Sequence, residues 1–185
     1  YHALTPQQLA NKRSPLDFEH QGTRELVAED YVYGLKRHAT PRIETPIYGI
    51  FAEYVVGLKE YRETIAKESA KQLKGLPEDL SDKPFLDFRQ WPLEGVTAPD
   101  KYTVRMRIKG KYPQWKYWLA MVFTAPMAWE ADAFYAQQGM ADNSMSLNQW
   151  PLGTGAFMMT EYVQDRRHVM SRNPNYHGDT YPCDG

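Results

Sequence analysis

The 185 residues suffice for one ordinary domain, and a content of 42% hydrophobic and 14% aromatic residues can build a core. The 22 basic and 23 acidic residues give a formal net charge of −1, without the positive excess of proteins that contact phosphate groups, so nucleic-acid binding is disfavoured. The single cysteine, Cys183, excludes a disulfide within the chain, and the longest apolar stretch, 119–129, is too short to cross a bilayer.

The first predicted helix covers residues 28–38 and follows a polar segment, 1–22, that we expect to form a loop or an extended arm. Tyr31, Val32 and Leu35 share one stripe of this helix. Acidic residues open the segment and basic residues close it, which complements the helix dipole. A proline then ends the pattern, so the sequence predicts a short amphipathic helix.

The next region combines a buried segment with a longer helix. Residues 47–56 are apolar on most sides and are expected to be buried. After Gly57, residues 58–74 have the apolar spacing and the charged face of an amphipathic helix. Residues 75–92 contain three prolines and predict a connector without regular structure.

The clearest strand pattern lies in the middle of the chain. We predict a strand at 93–97, a turn at 98–100 and a second strand at 102–109. In the second strand, apolar residues alternate with polar ones, which indicates a sheet with one face in water. The polar face carries three cations, which either bind an acidic partner or, as we expect more often, simply face solvent: Arg105, Arg107 and Lys109.

The last third of the chain predicts two helices and a hairpin. The helices are expected at 114–121 and 127–137, each after a proline, and residues 138–149 are polar and irregular. A glycine turn at 153–155 then introduces two strands joined by a charged turn at 164–167.

This order of elements defines a fold class and a domain. Helices and strands occur without regular βαβ alternation, which predicts a mixed α/β (α+β) domain. We assign that domain to residues 1–178 and expect residues 179–185 to form a disordered tail.

Catalytic and metal-binding patterns are lacking in the sequence. The five histidines stand apart, at positions 2, 20, 38, 168 and 177, without the spacing that places two ligands on one helix face. Cys183 lies in the tail, where no base is expected beside it. No nucleophile elbow and no phosphate-binding glycine loop is present. We therefore predict a protein that is not an enzyme and needs no cofactor.

Aromatic residues are the remaining candidates for a binding surface. We expect most of them to belong to the core, although an aromatic cleft would suit a binder of varied ligands, because rings supply contact area without demanding one partner. The candidates are Tyr48, Phe51, Tyr54, Trp115, Tyr117, Trp118, Trp129, Phe134 and Trp150.

Five ordered blocks between residues 18 and 178 resemble a known family. The last block pairs Gly153-Thr154-Gly155-Ala156-Phe157 with Arg172-Asn173-Pro174-Asn175-Tyr176-His177-Gly178. The earlier blocks are 21–37, 45–48, 55–61 and 93–104. This order is similar to that of the family 5 solute-binding proteins, which carry peptides and related solutes to ABC transporters.

Three positions depart from the family pattern. Gln21 replaces an aspartate, Val27 replaces a threonine that caps the following helix, and Ala156 stands where proline is common. The lost cap should cost about 1 kcal/mol unless another group replaces it. These changes affect the backbone more than a ligand surface.

The resemblance implies a fold and a set of binding residues. Family members are longer, two-lobed proteins, so it implies that residues 1–178 are part of lobe I, with its extra subdomain, of a class II periplasmic-binding-protein-like fold. By the same resemblance, the residues nearest the cleft are Tyr48, Phe51, Gly153, Thr154 and Gly155.

The resemblance also implies a function. It points to the substrate-binding component of an ABC importer, with an oligopeptide as cargo, permease subunits as partners and the periplasm as location. The signal peptide is expected in a part of the protein that precedes Tyr1. Two alternatives stay open: a carrier of the same fold for a nickel chelate, haem or a sugar, and an unrelated enzyme domain.

Overall fold

The computed structural model describes residues 4–78 and 80–178. Six helices and four strands follow one another in these ranges, which is the predicted mixture of helices and small sheets. The helices are α1 (Pro6–Leu9), α2 (Ala28–Arg37), α3 (Tyr48–Tyr54), α4 (Leu58–Leu73), α5 (Trp115–Trp118) and α6 (Trp129–Tyr135). The strands are β1 (Val96–Asp100), β2 (Thr103–Met106), β3 (Phe157–Val163) and β4 (Arg167–Arg172). The tail predicted at 179–185 lies outside the described residues.

The four strands form two separate antiparallel hairpins, β1–β2 and β3–β4. The second hairpin and its turn agree with the prediction. The first is shifted: residues 98–100, predicted as a turn, belong to β1, and the chain reverses at Lys101 and Tyr102. The reversal is fixed there because the Lys101 carbonyl accepts a hydrogen bond from the Ala28 N–H, at 2.9 Å, at the start of α2.

The alternation predicted for β2 is present, with one exception. Val104, Met106 and Ile108 are partly buried and pack against the core, whereas Tyr102 is 68% exposed at the reversal. The cations on the opposite face are exposed, and Arg107 is paired with Glu94 at 2.9 Å.

The helix predicted at 28–38 is α2, and its missing cap is replaced by other groups. Val27 has no side-chain acceptor, but the Asp30 N–H, which a cap hydroxyl could accept from, donates to the Val27 carbonyl at 3.0 Å. The Asp30 carboxylate accepts in return from the Val27 N–H at 2.9 Å, and the Lys101 carbonyl accepts from the Ala28 N–H.

Helix α4 begins at a glycine with a backbone that other residues rarely adopt. Gly57 has φ +76° and lies between α3 and α4, and the helix begins directly after it, as the sequence predicted. The glycine lets the chain change direction within three residues. Leu58, Tyr61 and Ile65 form the buried side of α4.

The main core gathers side chains from the middle of the chain, between α2 and α5. Its largest fully buried members include Phe51, Leu58, Ile65 and Leu93. The described residues of the connector at 75–92 have no regular structure apart from a short 3₁₀ turn, Phe88–Gln90, as expected, and Phe88 joins this core.

A second, smaller core joins α1 to residues 140–150. It contains Leu9, Met140, Met145 and Trp150. The expectation of a loop or extended arm at 1–22 is therefore incomplete, because α1 forms there, capped by Thr5, and buries Leu9. No described helix is long and apolar enough to cross a membrane.

Candidate functional site

A run of exposed apolar side chains marks the segment 117–123, which we name the apolar ledge. Five of the eleven large hydrophobic residues that are exposed in the described chain lie within these seven positions. Val122 is the most exposed of them, at 83%. Contiguous exposed apolar surface in a folded protein commonly marks a binding surface. The five residues are Tyr117, Leu119, Met121, Val122 and Phe123.

The ledge keeps its shape through one buried hydroxyl. Thr124 is 6% exposed, and its Oγ1 lies 3.2 Å from the Trp118 carbonyl oxygen, 3.0 Å from that of Leu119 and 2.9 Å from that of Met121. A hydroxyl has one proton to donate, so it satisfies these carbonyls in turn. The contacts draw the chain into a tight curve and explain why α5 ends at Trp118, whereas the sequence predicted a helix to residue 121.

The ledge is also fastened to helix α2. The His38 ring donates from Nε2 to the Phe123 carbonyl oxygen at 2.5 Å, and the Met127 N–H donates to the Asp30 carbonyl at 3.0 Å. Between these points, a Cβ on Gly34 would lie 2.9 Å from the Ala125 carbonyl oxygen. The segment therefore rests directly on the helix.

Phe51 supports the ledge from inside the core. Its ring centroid lies 5.2 Å from that of Trp115, 6.4 Å from that of Trp118 and 6.1 Å from that of His38. The side chain is 1% exposed, so its ring has almost no surface to offer a solute. Although the sequence placed Phe51 near the cleft, its position makes it a support for α5.

Tyr48 lies one turn away on the same helix and is partly exposed. The Arg62 guanidinium stands over its ring, 4.3 Å from the ring centroid, which is a cation–π geometry. Burial raises the pKa of the Tyr48 phenol. The phenol therefore stays protonated at neutral pH and can donate a hydrogen bond.

The predicted glycine turn precedes β3 and belongs to a different part of the fold from Tyr48 and Phe51. Gly153, Thr154 and Gly155 are all exposed. Neither glycine has a positive φ, so the backbone conformation does not by itself require glycine at either position. The Gly155 carbonyl accepts a hydrogen bond from the Asn173 side chain at 2.9 Å.

Ion pairs near the ledge are occupied in holding helix α6 to α2. Arg24 bridges Asp30 and Glu130, and the hydrogen bonds to these carboxylates raise the pKa of Arg24. Asp132 accepts from the Tyr33 hydroxyl at 2.9 Å and from the Arg37 guanidinium at 3.1 Å. The charged side chains of these ion pairs are therefore already bound to other side chains of the fold.

A shallow groove of about 490 Å³ lies at the start of α4, with Tyr61, Trp91 and Lys109 in its walls. Its two carboxylates are Glu60 and Glu94, and Glu94 is paired with an arginine. The groove does not gather a nucleophile and a base.

Metal ligands do not converge in the part of the chain that the structure describes. No group of three or more His, Cys, Asp or Glu residues there could hold a metal ion. His38 is engaged by the ledge, and His168 stacks on Tyr162 with ring centroids 4.6 Å apart. His2 and Cys183 lie outside the described residues.

Sequence reasoning missed the ledge as a surface. Residues 119–129 were noted as the longest apolar stretch, but exposure cannot be read from hydrophobicity. The usable signal was local: Met121, Val122 and Phe123 are consecutive apolar residues, without helical or strand periodicity, ahead of a Thr-Ala-Pro sequence that stops a helix.

The chain matches the sequence model of a known protein family. The sequence model described as "Bacterial extracellular solute-binding proteins, family 5 Middle" matches residues 20–184, which is most of the chain. No curated protein matches it.

Proposed function

Because this chain belongs to the family 5 bacterial extracellular solute-binding proteins, we propose that it is part of the periplasmic binding component of an ABC importer whose cargo is an oligopeptide. The family is one of non-enzymatic carriers, with a small solute as ligand, ABC permeases as partners and a periplasmic or extracellular location. The proposal goes beyond the family in three respects: the cargo is a peptide, the location is the periplasm, and residues 1–178 belong to lobe I.

The apolar ledge is the observation that supports a peptide cargo. Peptide carriers must accept many side chains, and a firmly held apolar surface does so because hydrophobic contact is not directional. Met121 adds a flexible, polarizable side chain that adapts to differently shaped partners. A dedicated sugar site would instead need convergent polar groups, and the five exposed ledge side chains include one hydroxyl, that of Tyr117.

The residues singled out from the sequence take complementary roles in this proposal. The Tyr48 hydroxyl and the exposed backbone of Gly153, Thr154 and Gly155 supply polar contacts to a peptide main chain. Phe51 acts indirectly, since its buried ring fixes the position of α5.

Binding would proceed by closure of two lobes around the solute, and the closed form would then be presented to the permease. No covalent step is needed. The described residues act by contact and exclusion of water.

The test is mass spectrometry of small molecules released on denaturing the whole protein, purified from its own cell envelope. A ladder of short peptides supports the proposal. A single non-peptide compound, or a nickel chelate, haem or sugar, overturns the peptide cargo and leaves family membership intact.

Matched variants locate the solute. The double variant Met121→Ser with Val122→Ser should release at least tenfold less peptide, because it removes two exposed apolar contacts. The control Leu76→Ser alters a leucine that is 38% exposed in the connector, outside the ledge segment, and should release the wild-type amount. Equal release by both variants would exclude the ledge as the peptide surface.

A further inference from the structure

The segment that carries the ledge lies along helix α2 in a regular antiparallel register. Phe123 meets His38, Ala125 meets Gly34, and Met127 meets Asp30, through the contacts described above. The helix positions are four residues apart and the segment positions two apart. Four helical residues rise about 6 Å, which matches the roughly 6.6 Å covered by the two extended residues from Ala125 to Met127. Residues 122–124 form a 3₁₀ turn that carries Phe123 back to the end of α2, and the three contacts fall on one face of that helix.

The three contacts differ in chemical kind. The contact of Met127 with Asp30 is a hydrogen bond between backbone groups. The contact of Ala125 with Gly34 depends on the absence of a side chain at Gly34. The third is a side-chain bond at the end nearest the exposed ledge, and it alone depends on a titratable group. His38 is also the C-cap of α2, so its backbone position is fixed by the helix end.

The surroundings of His38 determine the state of its ring. A carbonyl oxygen can only accept, so Nε2 carries the hydrogen. Burial lowers the pKa of His38, the bond to Phe123 opposes this in part, and the neighbouring Arg37 charge lowers the pKa further. Arg37 is itself paired with Asp132 on α6, and the other ring facing His38, Phe51 on α3, is neutral. The neutral tautomer with hydrogen on Nε2 is therefore the form held near pH 7.

We propose that His38 is a positioning residue for the apolar ledge: its Nε2–H bond fixes the ledge end of the segment, and protonation of the ring in mild acid releases that end from α2. A protonated ring brings a second N–H and a charge into a partly buried site beside Arg37. The energetically favourable response is for the ring to leave for water. The Gly34 and Asp30 contacts do not titrate, so the change is confined to residues near Phe123. The consequence for solute affinity rests on the proposed function, whereas the structural consequence does not.

Nitrogen NMR of the histidine rings between about pH 4.5 and 8 tests the structural part directly. The His38 ring should show the Nε2–H tautomer at pH 7 and a titration midpoint below the ordinary 6.5. The amide signals of Phe123 and Thr124 should move with the same midpoint, and that of Met127 should not. Ledge amides that do not respond to the His38 titration would overturn the proposal.

Two substitutions separate the bond from the charge. In His38→Gln, the side-chain amide keeps an N–H donor near the position of Nε2 without titrating, so the ledge amides should keep their pH 7 shifts at every pH. His38→Ala removes the donor and should produce at pH 7 the shifts that the wild type shows in acid. The control His168→Gln alters a ring stacked on Tyr162 and should change neither ledge signal. If His38→Ala fails to fold, the His38→Gln comparison still decides the outcome.

Affinity of the whole protein for trileucine tests the functional part. His38→Ala should weaken binding about three- to tenfold, equivalent to one lost hydrogen bond, and His38→Gln should remove the loss of affinity that the wild type shows in acid. If no variant or wild-type protein binds trileucine, the proposed peptide cargo fails while the NMR result still decides the role of His38. If trileucine binds equally to all variants at every pH, the positioning of the ledge by His38 has no effect on solute affinity.

Discussion

The side-chain amide of Asn173 donates a hydrogen bond to the carbonyl oxygen of Gly155 at 2.9 Å and so joins the two sequence motifs that flank the β3–β4 hairpin. The backbone N–H of Asn173 also donates to the Ala156 carbonyl at 2.8 Å. One residue after β4 thereby holds the residues that lead into β3. The conformation of the Gly153–Gly155 turn thus depends on a side chain 18 positions further along the chain.

Replacing Asn173 should loosen the base of this hairpin. Asn173→Ala loses the bond to Gly155 and the acceptor for the Asn175 N–H, so we expect a loss of about 1 kcal/mol in the free energy of unfolding. Asn173→Asp keeps that acceptor and removes only the donor. Urea unfolding and amide hydrogen exchange in β3 measure the effect of each of the two variants. Wild-type stability of Asn173→Asp would show that the bond to Gly155 contributes nothing.

Two helical glycines should respond oppositely to the same substitution. Gly34→Ala places a Cβ 2.9 Å from the Ala125 carbonyl oxygen, which must push the ledge segment away and should cost about 1–3 kcal/mol. Gly49→Ala in α3 meets nothing within 4 Å and should gain about 0.5–1 kcal/mol from its helix propensity. Thermal unfolding of the two variants supplies the comparison, and a destabilised Gly49→Ala or a neutral Gly34→Ala would contradict the register along α2.

Arg24 should stabilise the fold mainly by neutralising the carboxylate of Asp30. Asp30 is 3% exposed and accepts from the Arg24 guanidinium at 2.8 Å. Arg24→Gln leaves this charge without its cation, and we expect a cost of about 1–3 kcal/mol, below the range for fully buried pairs because Arg24 is 40% exposed.

The double variant Arg24→Gln with Asp30→Asn should recover part of that loss, since it also removes the buried charge. The two effects would then not add in urea unfolding. Strict additivity would mean that Arg24 acts through Glu130 alone.

Replacing Lys36 by an apolar residue should stabilise the protein. It is 8% exposed, and burial lowers the pKa of its amine from 10.5, only partly offset by the charges of Glu29 and Asp87. The folded state therefore holds the ammonium less well than water does. Lys36→Met should raise the free energy of unfolding at pH 7 by about 0.5–1 kcal/mol.

The gain from Lys36→Met should shrink as the pH rises. The depressed pKa gives the wild type a stability contribution that is present above 10.5 and lost as the pH falls through the folded pKa. The two proteins should converge towards pH 10.5 in urea unfolding. A gain that stays constant with pH would indicate packing instead of charge as its source.

Local patterns predicted those elements whose signals were themselves local. Helix α2 has a periodic stripe, matched end charges and a following proline, and its observed bounds, Ala28–Arg37, agree closely with the prediction. The position of the first turn was wrong because it is set by a bond between Ala28 and Lys101, about 70 residues apart. Helix α1 was missed because its one buried residue, Leu9, packs against residues near 140.

The candidate site was harder to predict than the fold. Tyr48 and the Gly153–Gly155 turn came from family resemblance, and their contact with a solute stays a prediction. Phe51 was expected near the cleft by the same resemblance, and its 1% exposure could not be read from the sequence. The ledge depends on exposure and on the Thr124 hydroxyl, which only the folded backbone brings beneath the Trp118 carbonyl.

The second core imposes an order on folding during synthesis. Its members Leu9 and Met140 are about 130 residues apart, and the Leu4 N–H donates to the Gln137 side chain across the same separation, at 2.7 Å. A ribosome that makes the chain from its N-terminus must release residues beyond 150 before this core can close, whereas most partners of the main core have emerged by residue 118. Helix α1 therefore stays without these partners while the next 130 or so residues are made. The closing of that long loop is expected to be the late step of folding, because its entropy is lost before the contacts that compensate for it form.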